Sequence, residues 1–109
     1  MEPPNKKTPI DGTETPTHAV ERLHAHGYAH DFVADRFGLR DVATGLLHAP
    51  ETMVIDEVVR YEGQSDPGDE TIVYALRDKE GKVRGVYSAG YGPAADPLDA
   101  EVMSRLPAA

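Results

Sequence analysis

The chain of 109 residues carries 19 acidic and 11 basic residues, a net charge of −8, and no cysteine. The length fits one domain, the charge argues against nucleic acid and anionic membrane surfaces as partners, and the missing thiols exclude disulfides, thiolate metal sites and cysteine nucleophiles. The apolar fraction of 39% includes 13 Ala, which leaves material for one sheet with its helices and too little for a deep internal cavity. No apolar run approaches the ~18 residues of a membrane span and the amino terminus lacks a signal-peptide core, so a cytoplasmic address is the default expectation. The excess of Arg over Lys and the abundance of Ala suit a bacterial protein.

Residues 1–14 hold three prolines and no apolar period, and read as a disordered or loosely attached tail before a single α+β domain over 15–109. Thr15 or Thr17 can cap a first helix, with Pro16 suited to a first-turn position that needs no N–H. Ala19, Val20 and Leu23 give that helix a short apolar stripe. Gly27 is placed to end it in the left-handed conformation, with Tyr28 folding back on the last turn. Residues 32–37 and 39–44 then read as two strands about Gly38, and Pro50-Glu51 as one short helical turn.

The longest stretch on which apolar and turn residues agree is 54–77: strands over 54–61 and 71–77 joined by the acidic connection 62–70. On the second of these strands Ile72, Tyr74 and Leu76 share one face, and Thr71, Val73 and Ala75 the other. Both faces are fairly apolar, which suggests a central strand. A turn at 78–81 leads into a strand over 82–89. Asp96 then reads as the N-cap of a closing helix, with Pro97 at its first position, Asp99 in its first turn, and Leu98, Val102, Met103 and Leu106 as its apolar face. The expected order is α-β-β-β-β-β-α: a mostly antiparallel sheet of about five strands with both helices on one face.

Chemistry-bearing residues concentrate in a few places. The connection 62–70 holds Glu62, Asp66, Asp69 and Glu70. Glu62, Asp66 and Asp69 are candidate hard-oxygen ligands for Mg²⁺ or Ca²⁺, although the spacing departs from the EF-hand loop and an Asp-Pro-Gly turn accounts for the same residues. Tyr61, Asp66, Pro67 and Asp69 recur in spacing as Tyr91, Asp96, Pro97 and Asp99. If the two strand ends lie side by side, phenols and carboxylates gather, and a phenol near a carboxylate can anchor a polar ligand or serve as a general acid. Arg60, Tyr61, Glu62, Asp66, Tyr91 and Asp96 are therefore the candidate ligand-binding residues, and ordinary capping grammar used twice is the plainer account of the echo. The five histidines, His18, His24, His26, His30 and His48, lack an uninterrupted helical pair at spacing four and read as solvated. The small-residue run 85–92, GVYSAGYG, permits close approach of a ligand to the backbone, and a strand end packed against a helix is the plainer account of it. Walker, G-x-S-x-G and G-x-G-x-x-G patterns are missing.

Asp56-Glu57-Val58-Val59-Arg60-Tyr61-Glu62-Gly63, Ser65-Asp66-Pro67, Tyr74-Ala75, Tyr91-Gly92 and Asp96-Pro97 together resemble a group of short, uncharacterised bacterial proteins. Their pattern is DEVYRFEG-x-(S/T)DP, then YA, then YG and a second DP. Val59 stands where Tyr is usual and Tyr61 where Phe is usual, and the likeness spans about residues 17–106. Members often carry the label phosphoribosylpyrophosphate synthetase, which implies two α/β domains, a pyrophosphate loop and an ATP-binding flap. A chain of 109 residues has no room for them. The expected function is a small non-enzymatic binding or regulatory module for an unknown protein or small polar ligand, without a cofactor. A metal-dependent enzyme or binder for a phosphorylated or sugar-like metabolite is the alternative, and edge-strand pairing of the first hairpin would allow a homodimer.

Overall fold

A computed structural model describes residues 14–62 and 70–107, in the order α1 (Pro16–Ala25), β1 (His30–Asp35), β2 (Gly38–Asp41), β3 (Leu47–His48), β4 (Met53–Tyr61), β5 (Thr71–Asp78), β6 (Arg84–Gly90) and α2 (Pro97–Arg105). Short 3-10 turns occupy Pro50–Thr52 and Gly92–Ala94. Of the expected tail, residues 1–13 lie outside the described residues. Glu14 belongs to the folded part, because its carboxylate accepts from the Arg22 guanidinium at 2.8 and 2.9 Å.

Both helices begin and end where local chemistry dictates. Thr15 caps α1 by accepting from the His18 N–H at 3.3 Å, and Pro16 occupies the first turn. At the other end Gly27 takes φ +102°, the Tyr28 N–H donates to the Leu23 carbonyl at 3.0 Å and the Gly27 N–H to that of His24 at 3.2 Å. This is the Schellman closure, which a residue with a Cβ enters only under strain. Asp96 caps α2 through the Leu98 N–H at 3.0 Å.

The six strands form one sheet in the order β3-β2-β1-β6-β5-β4. The central hairpin is β4 and β5, and the first hairpin is β1 and β2, turning at Arg36-Phe37 rather than about Gly38 alone. Two features depart from the expectation. A sixth, two-residue strand, β3, pairs with β2. In addition β1 runs parallel to β6, with His30 opposite Gly85 and Phe32 opposite Tyr87, so the sheet is mixed. Gly85 makes that contact possible: a Cβ there would stand 2.5 Å from the His30 carbonyl oxygen.

The helices lie on opposite faces, not on one. Ala19 and Leu23 of α1 pack with Val73, Ala75 and Val86, whereas Val102 of α2 packs with Phe32, Leu39, Met53, Ile72, Tyr74, Leu76, Tyr87 and Ala89. Alternation on β5 made both faces apolar, and each receives its own helix. The α2 side is the inside of a curl. Five Cα steps from His48 to Met53 reach at most about 18 Å, yet β3 and β4 are the two edges of a sheet whose six strands, laid flat, would span about 24 Å. The edges are therefore drawn together. The carboxyl end of α2 is tied to the link between them, with Arg105 Nε donating to Glu51 at 2.7 Å. A bulge at Asp56 shifts the β4 register between Ile55 and Glu57, which turns Asp56 and Glu57 together toward the α1 side. There Asp56 accepts from the Tyr28 hydroxyl at 2.7 Å and Arg77 at 3.0 Å, and Glu57 from Arg22 at 2.6 Å.

Candidate functional site

Antiparallel pairing of β4, β5 and β6 sets the end of β4, the start of β5 and the end of β6 at one pole of the sheet. The parallel alignment of β1 with β6 brings the end of β1 to the same pole, and α2 begins there as well. The two strand ends of the sequence echo are thus neighbours, separated only by β5.

Of the candidate residues, three gather. The Tyr91 hydroxyl donates to Glu62 Oε2 at 3.3 Å, and the Tyr91 N–H to the Glu70 carbonyl at 3.2 Å. Partial desolvation, then the Glu62 charge, raise the Tyr91 phenol above its ordinary value, while the positive charge of Arg60 acts the other way. The two phenols do not meet. Tyr61 is opposite Thr71 on the α1 side of the sheet, whereas Tyr91 packs on the α2 core. Asp96 is engaged as the α2 cap. Asp66 and Asp69 lie outside the described residues, so of the expected metal ligands only Glu62 is placed. Among the described residues no group of three or more His, Asp or Glu side chains converges as a metal site would require.

Beside these residues the sheet opens. The β1–β6 register ends at Phe32 opposite Tyr87. Beyond it the strands part around a cleft of ≈ 320 Å³, lined by Val33, Ala34, Tyr87, Ser88, Asp96, Leu98 and Asp99. Because the Asp31 carbonyl accepts from the N–H of Val42, the residue after β2, the alternation of β1 turns the backbone N–H and C=O of Ala34 the other way, into this opening. The floor is Tyr87, 1% exposed and stacked on Tyr74 with ring centroids 5.9 Å apart. Its hydroxyl donates to Asp99 Oδ1 at 2.5 Å. Burial, and then the bond to Asp99, push the Tyr87 phenol far above its ordinary range, so it stays a donor. The cleft thereby presents apolar walls from Val33, Ala34 and Leu98 and the carboxylates of Asp96 and Asp99, acceptors for a donor-bearing ligand. On the α1 side a second groove, ≈ 360 Å³ and lined by Pro16, Thr17, Val20, Glu21 and Ser88, meets the first at Ser88.

Sequence reasoning placed Asp99 in the first turn of the closing helix and in the spacing echo, without a partner for it, and did not single out Tyr87. Their bond joins a strand to a helix twelve residues later, and the sole local trace of it is a tyrosine on the inward parity of an apolar strand. The small-residue run around them serves the chain itself: Gly85 admits β1, and a Cβ on Gly90 would stand 2.5 Å from the Ala94 carbonyl oxygen. His18, His24 and His26 are exposed, and His30 and His48 half-buried. His24 contacts Asp31 at 2.8 Å, His26 the Arg22 carbonyl at 2.7 Å, and His30 the buried Asp41 at 2.7 Å, while the buried His48 Nε2 has no hydrogen-bond partner among the described residues.

Fold and cleft together define a small α+β module built on a curled, mixed six-stranded sheet. No family model matches the chain, and neither does any curated protein or solved structure. Among the described residues no helix is long and apolar enough to cross a membrane.

Proposed function

We propose that the chain is a small cytoplasmic binding or regulatory module, without catalysis of its own, that captures a polar ligand carrying hydrogen-bond donors at the pole where β1 and β6 part. The observation that carries this reading is the cleft of ≈ 320 Å³ opened by the end of the parallel register, with two carboxylates and three apolar side chains along its walls. The preferred ligand is a primary amine or guanidine on a short apolar stem: the cation meets Asp96 and Asp99, and the stem lies along Val33 and Leu98. Net charge of −8 favours such a cation at long range and opposes anionic metabolites. The same reading keeps the chain beside the short bacterial proteins whose DEVYRFEG-x-(S/T)DP pattern residues 56–67 approximate.

The test is a ¹⁵N–¹H correlation spectrum titrated at low salt with butylamine, 1,4-diaminobutane, glucose and ribose 5-phosphate, then with Mg²⁺ and Ca²⁺. Amine-dependent shifts of the Val33, Ala34, Ser88, Leu98 and Asp99 amides are expected, weakening with added salt and lost in Asp99→Asn. Shifts with ribose 5-phosphate or Mg²⁺ centred on Glu62 would move the assignment to a metal-assisted site. A spectrum still in every arm would remove the cleft from consideration.

A further inference from the structure

The β1–β6 ladder stops before its two strands do. In a parallel pair every second residue bonds to both neighbours of its partner. Asp31 bonds toward Val42, so Phe32 is the bonding residue toward β6: opposite Tyr87, it donates to the Val86 carbonyl and accepts from the Ser88 N–H. The next rung would run from the Ala34 N–H to the Ser88 carbonyl, and the register ends before it. Both strands nevertheless continue on their other edges, β1 with β2 as far as Asp35 and β6 with β5 as far as Gly90. The Ala34 N–H and the Ser88 carbonyl are left without a strand partner, and among the described residues neither finds another. A free donor and a free acceptor in the middle of a sheet are a template to which an extended chain adds by main-chain bonds. The outer edges are poorer templates. β3 has two residues, and β4 carries the bulge at Asp56 together with the charges of Glu57 and Arg60.

Side-chain sites lie on both faces of this fork. Tyr87 belongs to the α2 side, where the cleft of ≈ 320 Å³ offers Asp96, Leu98 and Asp99. Ser88 is opposite Val73 and therefore on the α1 side, where the groove of ≈ 360 Å³ offers Pro16 and Val20 with Thr17 and Glu21 at hand. The two meet at Ser88. Successive side chains of a strand point to opposite faces, so one extended segment in the fork sends a residue into each. Charge selects the residue types. Neither opening is lined by Lys or Arg. Asp96 and Asp99 each accept one bond from the chain, from the Leu98 N–H and the Tyr87 hydroxyl, and a carboxylate keeps further lone pairs for a cation. Pro16 and Val20 suit an apolar neighbour.

We infer that the ligand of the cleft is an extended peptide segment that adds to the sheet in the β1–β6 fork, with a Lys or Arg side chain on Asp96 and Asp99 and an apolar neighbour on Pro16 and Val20. This rests on the amine reading of the cleft and names the molecule that carries the amine. The probe is the blocked peptide acetyl-Ala-Val-Lys-Val-Ala-amide, set against butylamine, against the same peptide N-methylated at Lys and at the Val after it, and against a version with Glu in place of Lys. At low salt the Lys peptide is expected to bind on the order of tenfold more tightly than butylamine, through its added main-chain bonds. It is expected to shift the Thr17, Val20 and Glu21 amides together with those of Ser88 and Asp99, and to slow hydrogen exchange at the Ala34 N–H. Butylamine is expected to leave that exchange rate as it is. N-methylation removes the main-chain donors and Glu sets carboxylate against carboxylate, so each is expected to lower affinity by about tenfold. Equal affinity of peptide and butylamine, indifference to N-methylation, or an Ala34 exchange rate unmoved by the peptide would overturn the inference; with the butylamine shifts intact, the amine reading would survive it. Peptide shifts confined to β3 or β4 would overturn it in favour of an outer edge. Silence of every amide with both probes would remove the two readings together.

Discussion

Replacing Tyr87 by Phe removes one oxygen and keeps the ring, so the stack on Tyr74 survives and the change isolates the bond to Asp99. A hydrogen bond to a charged group contributes about 1.5–3 kcal/mol. Asp99 is half-buried at the cleft and regains water when the phenol leaves, which places the expected loss toward the lower end, about 1–2 kcal/mol. For a domain of this size such a loss lowers the urea midpoint by roughly 1 M at unchanged m. Asp99→Ala is costlier, because it strands a hydroxyl on a residue only 1% exposed, at about 1–3 kcal/mol for the unsatisfied donor. The double variant Tyr87→Phe with Asp99→Ala is therefore expected to cost less than the two single changes added, by about 1 kcal/mol or more. The assay is urea unfolding of the four proteins followed by circular dichroism. A strictly additive cycle would refute the claim that Tyr87 and Asp99 act as a unit and with it the preformed floor of the cleft.

Gly85→Ala drives a Cβ to 2.5 Å from the His30 carbonyl oxygen and 2.8 Å from the Phe32 ring. It is expected to cost about 1–3 kcal/mol or more by overpacking, with hydrogen exchange accelerating first along β1; unchanged protection of the Phe32 amide would contradict the parallel pairing. Leu23→Ala, at a site on the sheet-facing side of α1 that is 1% exposed, is expected to cost about 2–5 kcal/mol, a large share of the stability of a small domain and readable as a fall in Tm. The bond from Arg22 holds the Glu14 carboxyl below its ordinary value of 4.5. The folded form therefore binds this proton less readily than the unfolded chain, so the stabilisation is complete above pH 4.5 and disappears as pH falls through the lower folded value. Glu14→Gln is expected to flatten the acid limb of the stability curve, leaving the share of Glu51, whose carboxyl Arg105 also lowers; an unaltered limb would sink the assignment.

What the sequence determined by itself is what neighbouring residues settle between themselves. Thr15-Pro16 and Asp96-Pro97 begin the helices because a side-chain oxygen and a missing N–H suit the first turn whatever lies beyond it. Gly27 ends α1 for an equally local reason, and the β4–β5 hairpin follows from two apolar runs about a polar turn. The meeting of the β4 and β6 ends followed from an antiparallel meander read strand by strand. Tertiary structure decided the rest. Pairing His30 with Gly85 joins residues far apart along the chain with no turn to announce it. Once β1 entered parallel to β6, its early departure opened the cleft and positioned Tyr87 against Asp99. The faces of the helices were equally beyond local reading, since β5 is apolar on both sides and alternation cannot say which side a helix takes. The bulge at Asp56, one residue of register, and the two-residue β3 are too short for a periodic signal. Each is defined by its partner strand, β5 for the bulge and β2 for β3.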